Sequence, residues 1–202
     1  MRPIACLSAA LVLIGGPLEA QQPSRPAPTA AQQIAAAVLP LPDSMRAGAR
    51  VYGYTADGHF AELRAGTGSM TCLISKPGAE RFQVACYHNS MEEFMARGRE
   101  LRAQGVTAID SVRNADVMAG RVHLPPVASL YSLNGPAGSW DPATNALTGV
   151  SPLYVVYLPF ATEASTGISA TPARGRPWLM HPGEPGAHVM IVPERPAAAP
   201  RP

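Results

Sequence analysis

The chain has 202 residues, with 16 Lys+Arg against 14 Asp+Glu and a formal net charge of +2. So small an excess gives no basic field to draw nucleic acid, and Lys76 is the sole lysine among those cations. Nothing in the composition requires a cofactor.

Residues 1–20 read as a secretory signal peptide. Arg2 supplies the positive start, Ile4 to Gly16 the apolar stretch, and Leu18-Glu19-Ala20 the cleavage site. The apolar run is shorter than the roughly 20 residues a membrane span needs. The expectation is a secreted or periplasmic protein with no membrane span after removal of the leader. Residues 21–29 (QQPSRPAPT) read as a Pro/Ser-rich linker and 193–202 (PERPAAAPRP) as a Pro/Ala-rich disordered tail, since neither can bury a core. Residues 30–192 remain, about 160 in number and enough for a single domain.

Ala30 to Leu39 predicts a short Ala-rich helix stopped by Pro40 and Pro42. Residues 49–88 predict a β meander: strands at Ala49–Tyr54 and His59–Arg64 flank Asp57-Gly58, a strong hairpin signal. Gly66 and Gly68 make the next turn, and Met70–Ser75 with Arg81–His88 form a second hairpin. The period then changes. Ser90-Met91-Glu92-Glu93 has the form of a capping box. It opens a helix with Met91, Phe94, Met95, Gly98 and Leu101 on one face and Arg97, Arg99 and Arg102 off it. Gly105 stops this helix. Thr107 to Ala119 predicts another, with Thr107 and Asp110 as its cap and Gly120 as its end. Strands follow at Ala128–Leu133, Pro152–Phe160 and Ala187–Val192, and Leu153 to Leu158 is apolar enough for burial on both faces. The order predicts an α+β fold with a mostly antiparallel sheet.

Cys6 leaves with the leader, so Cys72 and Cys86 are alone in the exported chain. A hairpin centred on Ala79 pairs Cys72 with Cys86, Ile74 with Val84 and Met70 with His88, which predicts a disulfide on an apolar face. The spacing is not CxxC, and two cysteines fall short of a structural zinc set.

Motifs for nucleophile elbows, phosphate loops, zinc proteases and dinucleotide binding are absent. Three places remain for chemistry. His88, at a strand end beside Glu92 and Glu93, is a candidate general base, although a buried structural imidazole is the plainer reading. Trp140 and Asp141, in the loop from Asn134 to Thr144, are candidate ligand contacts, as is Trp178. Met180, His181, His188 and Met190 flank a Pro-Gly turn with soft donors that suit copper. Strand alternation, however, places Met180 and His181 on opposite faces. The function expected is an exported, disulfide-stapled binding or interaction module whose partner is an unidentified small molecule or protein. A small hydrolase using His88 and a carboxylate, or a Met/His copper-binding protein, are the alternatives. An enzyme would gather His88, an acid and a nucleophile in one cleft, whereas a binding module would show an aromatic-lined pocket without them.

Overall fold

The computed structural model describes residues 27–194; the signal peptide read at 1–20, most of the linker and nearly all of the tail lie outside the described residues. The Ala-rich run forms helix α1 (Ala30–Ala37). Its N-cap is Thr29, which accepts from the Gln32 amide while the Gln32 side chain accepts from the Thr29 amide. Helix α2 (Asp43–Arg46) leads into strands β1 (Arg50–Tyr54), β2 (Phe60–Arg64), β3 (Met70–Ile74) and β4 (Arg81–His88). Two packed helices follow, α3 (Glu92–Ala103) and α4 (Ile109–Met118). The remainder comprises β5 (Ala128–Pro136), β6 (Trp140–Asp141), β7 (Ala146–Leu147), β8 (Ser151–Tyr157), α5 (Glu163–Thr166), β9 (Trp178–Met180) and β10 (His188–Ile191).

Eight strands make one sheet in the order β2-β1-β3-β4-β5-β8-β10-β9, and β6-β7 form a small separate ribbon. Every neighbouring pair in the large sheet is antiparallel except β1 and β3. The fold is α+β with a mostly antiparallel sheet, as the element order implies. The parallel pair corrects the meander expected for residues 49–88. After β2 the chain crosses back over the start of β1, where the Gly48 carbonyl accepts from the amides of Thr67 and Gly68. A Cβ on Gly66 would stand 2.5 Å from the Arg50 nitrogen, so the crossing needs glycine there. β3 then lands on the other side of β1 and leaves β2 at the edge.

The β3–β4 hairpin has the expected register. Cys72 pairs with Cys86, Ile74 with Val84 and Met70 with His88, and the two cysteines form a disulfide. Closing a loop of about 15 residues contributes up to roughly 3 kcal/mol in the chain-entropy picture. Alternate residues of β4 serve two layers. Phe82, Val84 and Cys86 join Cys72, Ile74, Val51, Ala36, Ala37 and Leu41 beneath α1. Tyr87 points the other way, into a core with Met91, Phe94, Val155 and Tyr157 beneath α3. A third cluster, Ala161, Leu179, Ala187 and Val189, closes the far end of the sheet.

The helix caps differ from expectation. The chain after β4 first makes a 3₁₀ turn (Asn89–Met91), and Met91 occupies the N-cap of α3 without a side-chain bond. Ser90 instead bonds the His88 ring through its hydroxyl and donates its amide to His88 Nδ1. Glu93 accepts from the His123 amide at 2.6 Å, 30 residues along the chain. A tertiary partner has displaced the local one. Helix α4 starts after Ala108 with no side-chain cap, and Asp110 pairs with Arg113. Gly105 and Gly120 do end their helices in the left-handed conformation, at φ 75° and 68°. β8 is interior to the sheet, yet Tyr154 on it is exposed, because no helix covers that face beside Tyr131. Asn134 to Thr144 is only partly a loop: it holds the end of β5 and all of β6.

Asp116 joins the two long helices. This buried carboxylate accepts from Arg97 at 2.7 Å and from Arg121 at 2.6 Å and 2.9 Å. The hydrogen bond from Arg97, then that from Arg121, holds its carboxyl below the ordinary aspartate range. The fold therefore favours the ionised form. Its contribution is complete above the unfolded value near about 3.9 and is lost as pH falls through the lower folded value. Asp116→Asn is expected to be less stable than the parent chain at neutral pH, with the gap closing below about pH 4. Urea denaturation across pH measures this; a gap independent of pH would contradict it.

Candidate functional site

The Asp57-Gly58 turn sets the first wall of the main groove. Gly58 takes φ 82°, Thr55 donates to Asp57, and the Thr55 amide donates to the His59 carbonyl at 2.9 Å. Tyr54 then pairs with Phe60 and Tyr52 with Glu62. Val51 and Gly53 face α1, so the aromatic residues between them face away from it. Buried Gln33 of α1 fixes this arrangement: its side chain donates to the Tyr54 carbonyl at 2.7 Å and accepts from the Tyr54 amide at 2.8 Å. Phe60 stacks on Tyr52 at 5.7 Å between centroids and meets Tyr54 edge-on at 5.4 Å. Although it is part of this cluster, Phe60 is 41% exposed.

The opposite wall is α3. Tyr87 donates its hydroxyl to Glu92 Oε2 at 2.5 Å, Arg99 Nη1 donates to the Tyr87 oxygen at 2.7 Å, and Arg99 Nη2 donates to Glu92 Oε1. The three groups close a ring. Burial first, then the bond to Glu92, pushes the Tyr87 hydroxyl far above its ordinary value, so it remains a donor. Held this way, the Arg99 guanidinium lies 5.2 Å from the centre of the Tyr52 ring.

Between these walls runs a groove of about 540 Å³, lined by Tyr54, Phe60, Leu73, Lys76, Arg99 and Arg102 among others. Lys76 and Arg102 have no ion-pair partner among the described residues. No carboxylate lines the groove among the described residues. An aromatic floor beside two uncommitted cations can take a flat apolar body bearing negative charge.

The residues singled out from the sequence lie elsewhere. His88 is half-buried on the disulfide face and bonds Ser90, while Glu92 serves Tyr87 on the opposite face of the sheet. Trp140 stacks on Phe82 at 6.0 Å, donates to Asn145, and helps line a second groove of about 480 Å³ with Pro28, Lys76, Pro77 and Pro142. Asp141 accepts from the Ala143 amide and the Thr144 hydroxyl and so shapes its own turn. Trp178 is half-buried and pairs with Met190 across β9 and β10.

Met180 pairs with His188 across the same two strands. His181 takes φ 55°, which breaks strand alternation, and its ring lies 5.9 Å from that of His188. These three side chains share a small cavity that Met190 does not line. Burial lowers the His188 ring below its ordinary histidine value. No group of three or more His, Cys, Asp or Glu side chains is placed to hold a metal among the described residues.

Tyr54, Phe60, Arg99 and Arg102 were not singled out from the sequence. One signal was present: the Asp57-Gly58 hairpin, read as a three-residue loop of Ala56, Asp57 and Gly58 with the left-handed glycine last, pairs Tyr54 with Phe60 and puts Tyr52 on their face. Comparison with known protein families, curated proteins and solved structures finds no match.

The ring of side chains under the groove has a graded cost of disruption. Tyr87→Phe leaves Arg99 and Glu92 paired and is expected to cost about 1 kcal/mol. Glu92→Gln takes the charge from the partner of a half-buried arginine and is expected to cost about 1.5–3 kcal/mol. Chemical denaturation ranks the two; the reverse order would contradict this division of labour.

Proposed function

We propose that the chain is an exported binding module whose ligand is a flat, apolar small molecule carrying an anionic group, held in the groove between the β1–β2 hairpin and α3. One observation carries the reading: Phe60, Tyr52 and Tyr54 form a partly exposed aromatic cluster beside Lys76 and Arg102, which have no ion-pair partner among the described residues. Export is supported by the signal-like leader and by the Cys72–Cys86 disulfide, which persists in oxidising compartments. No helix among the described residues is long and apolar enough to cross a membrane.

The hydrolase alternative needs His88, an acid and a nucleophile together. His88 meets the Ser90 hydroxyl at 2.8 Å, but the nearby carboxylates are engaged with Tyr87, Arg99 and the His123 amide. The aromatic groove fits a binding module better.

The strength expected is modest. Covering roughly 100 Å² of apolar ligand surface contributes about 2.5 kcal/mol. Ring packing adds about 0.5–1.5 kcal/mol, and a part-exposed ion pair adds up to about 1 kcal/mol. The total of about 3–5 kcal/mol corresponds to a Kd of roughly 0.2–6 mM.

Anilinonaphthalene sulfonate, a flat anionic fluorophore, tests the reading. Its fluorescence is expected to rise on binding, to lose affinity at least about fivefold in Phe60→Ala, and to be unaffected by Trp140→Ala. Replacing Lys76 and Arg102 together by Ala is expected to abolish the preference for this dye over its uncharged parent, phenylnaphthylamine. Binding that survives Phe60→Ala and disappears in Trp140→Ala would move the site to the other groove and refute the proposal.

A further inference from the structure

The turn between β9 and β10 builds a second site independent of the groove. Met180 and His188 are cross-strand partners, so their side chains leave the same face of the ribbon. His181 follows Met180 directly and would face the other way in a continuing strand. Its left-handed backbone, at φ 55°, turns the ring back to stand 5.9 Å from the His188 ring.

Both imidazoles turn Nδ1 toward an oxygen. His188 Nδ1 lies 2.7 Å from the Gly186 carbonyl, an acceptor only, so Nδ1 carries the proton and Nε2 keeps its lone pair. His181 Nδ1 faces Glu184 Oε2 at 3.7 Å, and Asn114 holds that carboxylate by donating to it at 2.8 Å. Neither Nε2 has a protein hydrogen-bond partner among the described residues. Imidazoles that ligate metals present this arrangement, with one nitrogen turned toward an oxygen and the other left open. An ion bound about 2.0–2.1 Å from each of two imidazole nitrogens leaves the ring centres roughly 5–6 Å apart, which matches the separation here.

Both rings and Met180 line a cavity of about 160 Å³. That is below the roughly 300–1,000 Å³ of organic-ligand pockets, and it suits an ion. The charged neighbours are Asp110 and Arg113, which pair with one another, and Glu184. Their sum is one negative charge. Tyr157 packs its ring against His188 at 4.9 Å and supplies the apolar wall.

We propose that Met180, His181 and His188 form a binding site for a soft monovalent metal ion, copper(I). Two imidazoles and one thioether make a donor set suited to that ion. Zinc draws on at least three cysteine, histidine or carboxylate ligands, and no three such side chains are placed to hold a metal among the described residues.

The test titrates the full chain, carrying Cys6→Ala so that no leader thiol competes, with copper(I) under ascorbate against a colorimetric chelator. A thiol assay on the same sample verifies that Cys72 and Cys86 stay oxidised. The expected result is one copper(I) held per chain. His181→Asn keeps a residue tolerant of positive φ, and Met180→Leu conserves volume. Each is expected to weaken retention by at least about tenfold, the loss that even an outer-shell partner brings. Circular dichroism of both variants checks that they remain folded, and His59→Ala serves as a control expected to bind normally. Failure of the parent chain to hold copper(I), retention unchanged in both variants, or zinc bound as tightly and indifferent to Met180→Leu would each overturn the proposal.

Discussion

The closed ring of Tyr87, Glu92 and Arg99 is the constraint on which the groove depends. A tyrosine hydroxyl, a carboxylate and a guanidinium each hydrogen-bond the other two, which makes their partial burial tolerable. The consequence is positional. β4 cannot slide against α3 without breaking charge-assisted bonds, and Arg99 stays above Tyr52. Arg99 is therefore held in place before any ligand arrives, so less ordering of that side chain is left to oppose binding.

The neighbouring residue completes the frame. Cys86 precedes Tyr87, and the alternation of β4 sends one toward α1 and the other toward α3. The disulfide to Cys72 braces the hairpin from one side while the polar ring braces it from the other. Gln33 extends the frame to β1 by bonding the amide and carbonyl of Tyr54 together, as a neighbouring strand would. The aromatic floor and the cationic wall are thus each tied to the layer behind them.

Local patterns were legible in the sequence wherever one element decides the outcome. The Cys72–Cys86 register, the Asp57-Gly58 hairpin and the buried face of α3 all follow from turn chemistry and period. The failures share a cause, which is a partner distant in the chain. Glu93 looked like half of a capping box, yet His123 takes it; β3 looked like the next strand of a meander, yet it pairs parallel with β1. Arg99 and Arg102 were read only as lying off an apolar helix face. Their relation to Phe60 depends on that same crossover, which puts the β1–β2 hairpin outside β3 and opposite α3. The Met180–His181 alternation failed for a local reason, a single left-handed residue that the Pro-Gly after it does not announce.

The aromatic groove and the Met/His turn occupy different parts of one sheet, so occupancy of one leaves the other's residues untouched. The Trp140 groove shares Lys76 with the first and is the rival for any flat ligand. Amide chemical shifts followed while naphthoate is titrated into the isotope-labelled chain separate these places directly. The account predicts saturable shifts at Tyr54, Phe60, Ala85 and Arg102, with Gly138 and Trp140 still. Shifts centred on Gly138 and Trp140, with the Phe60 region unmoved, would contradict it.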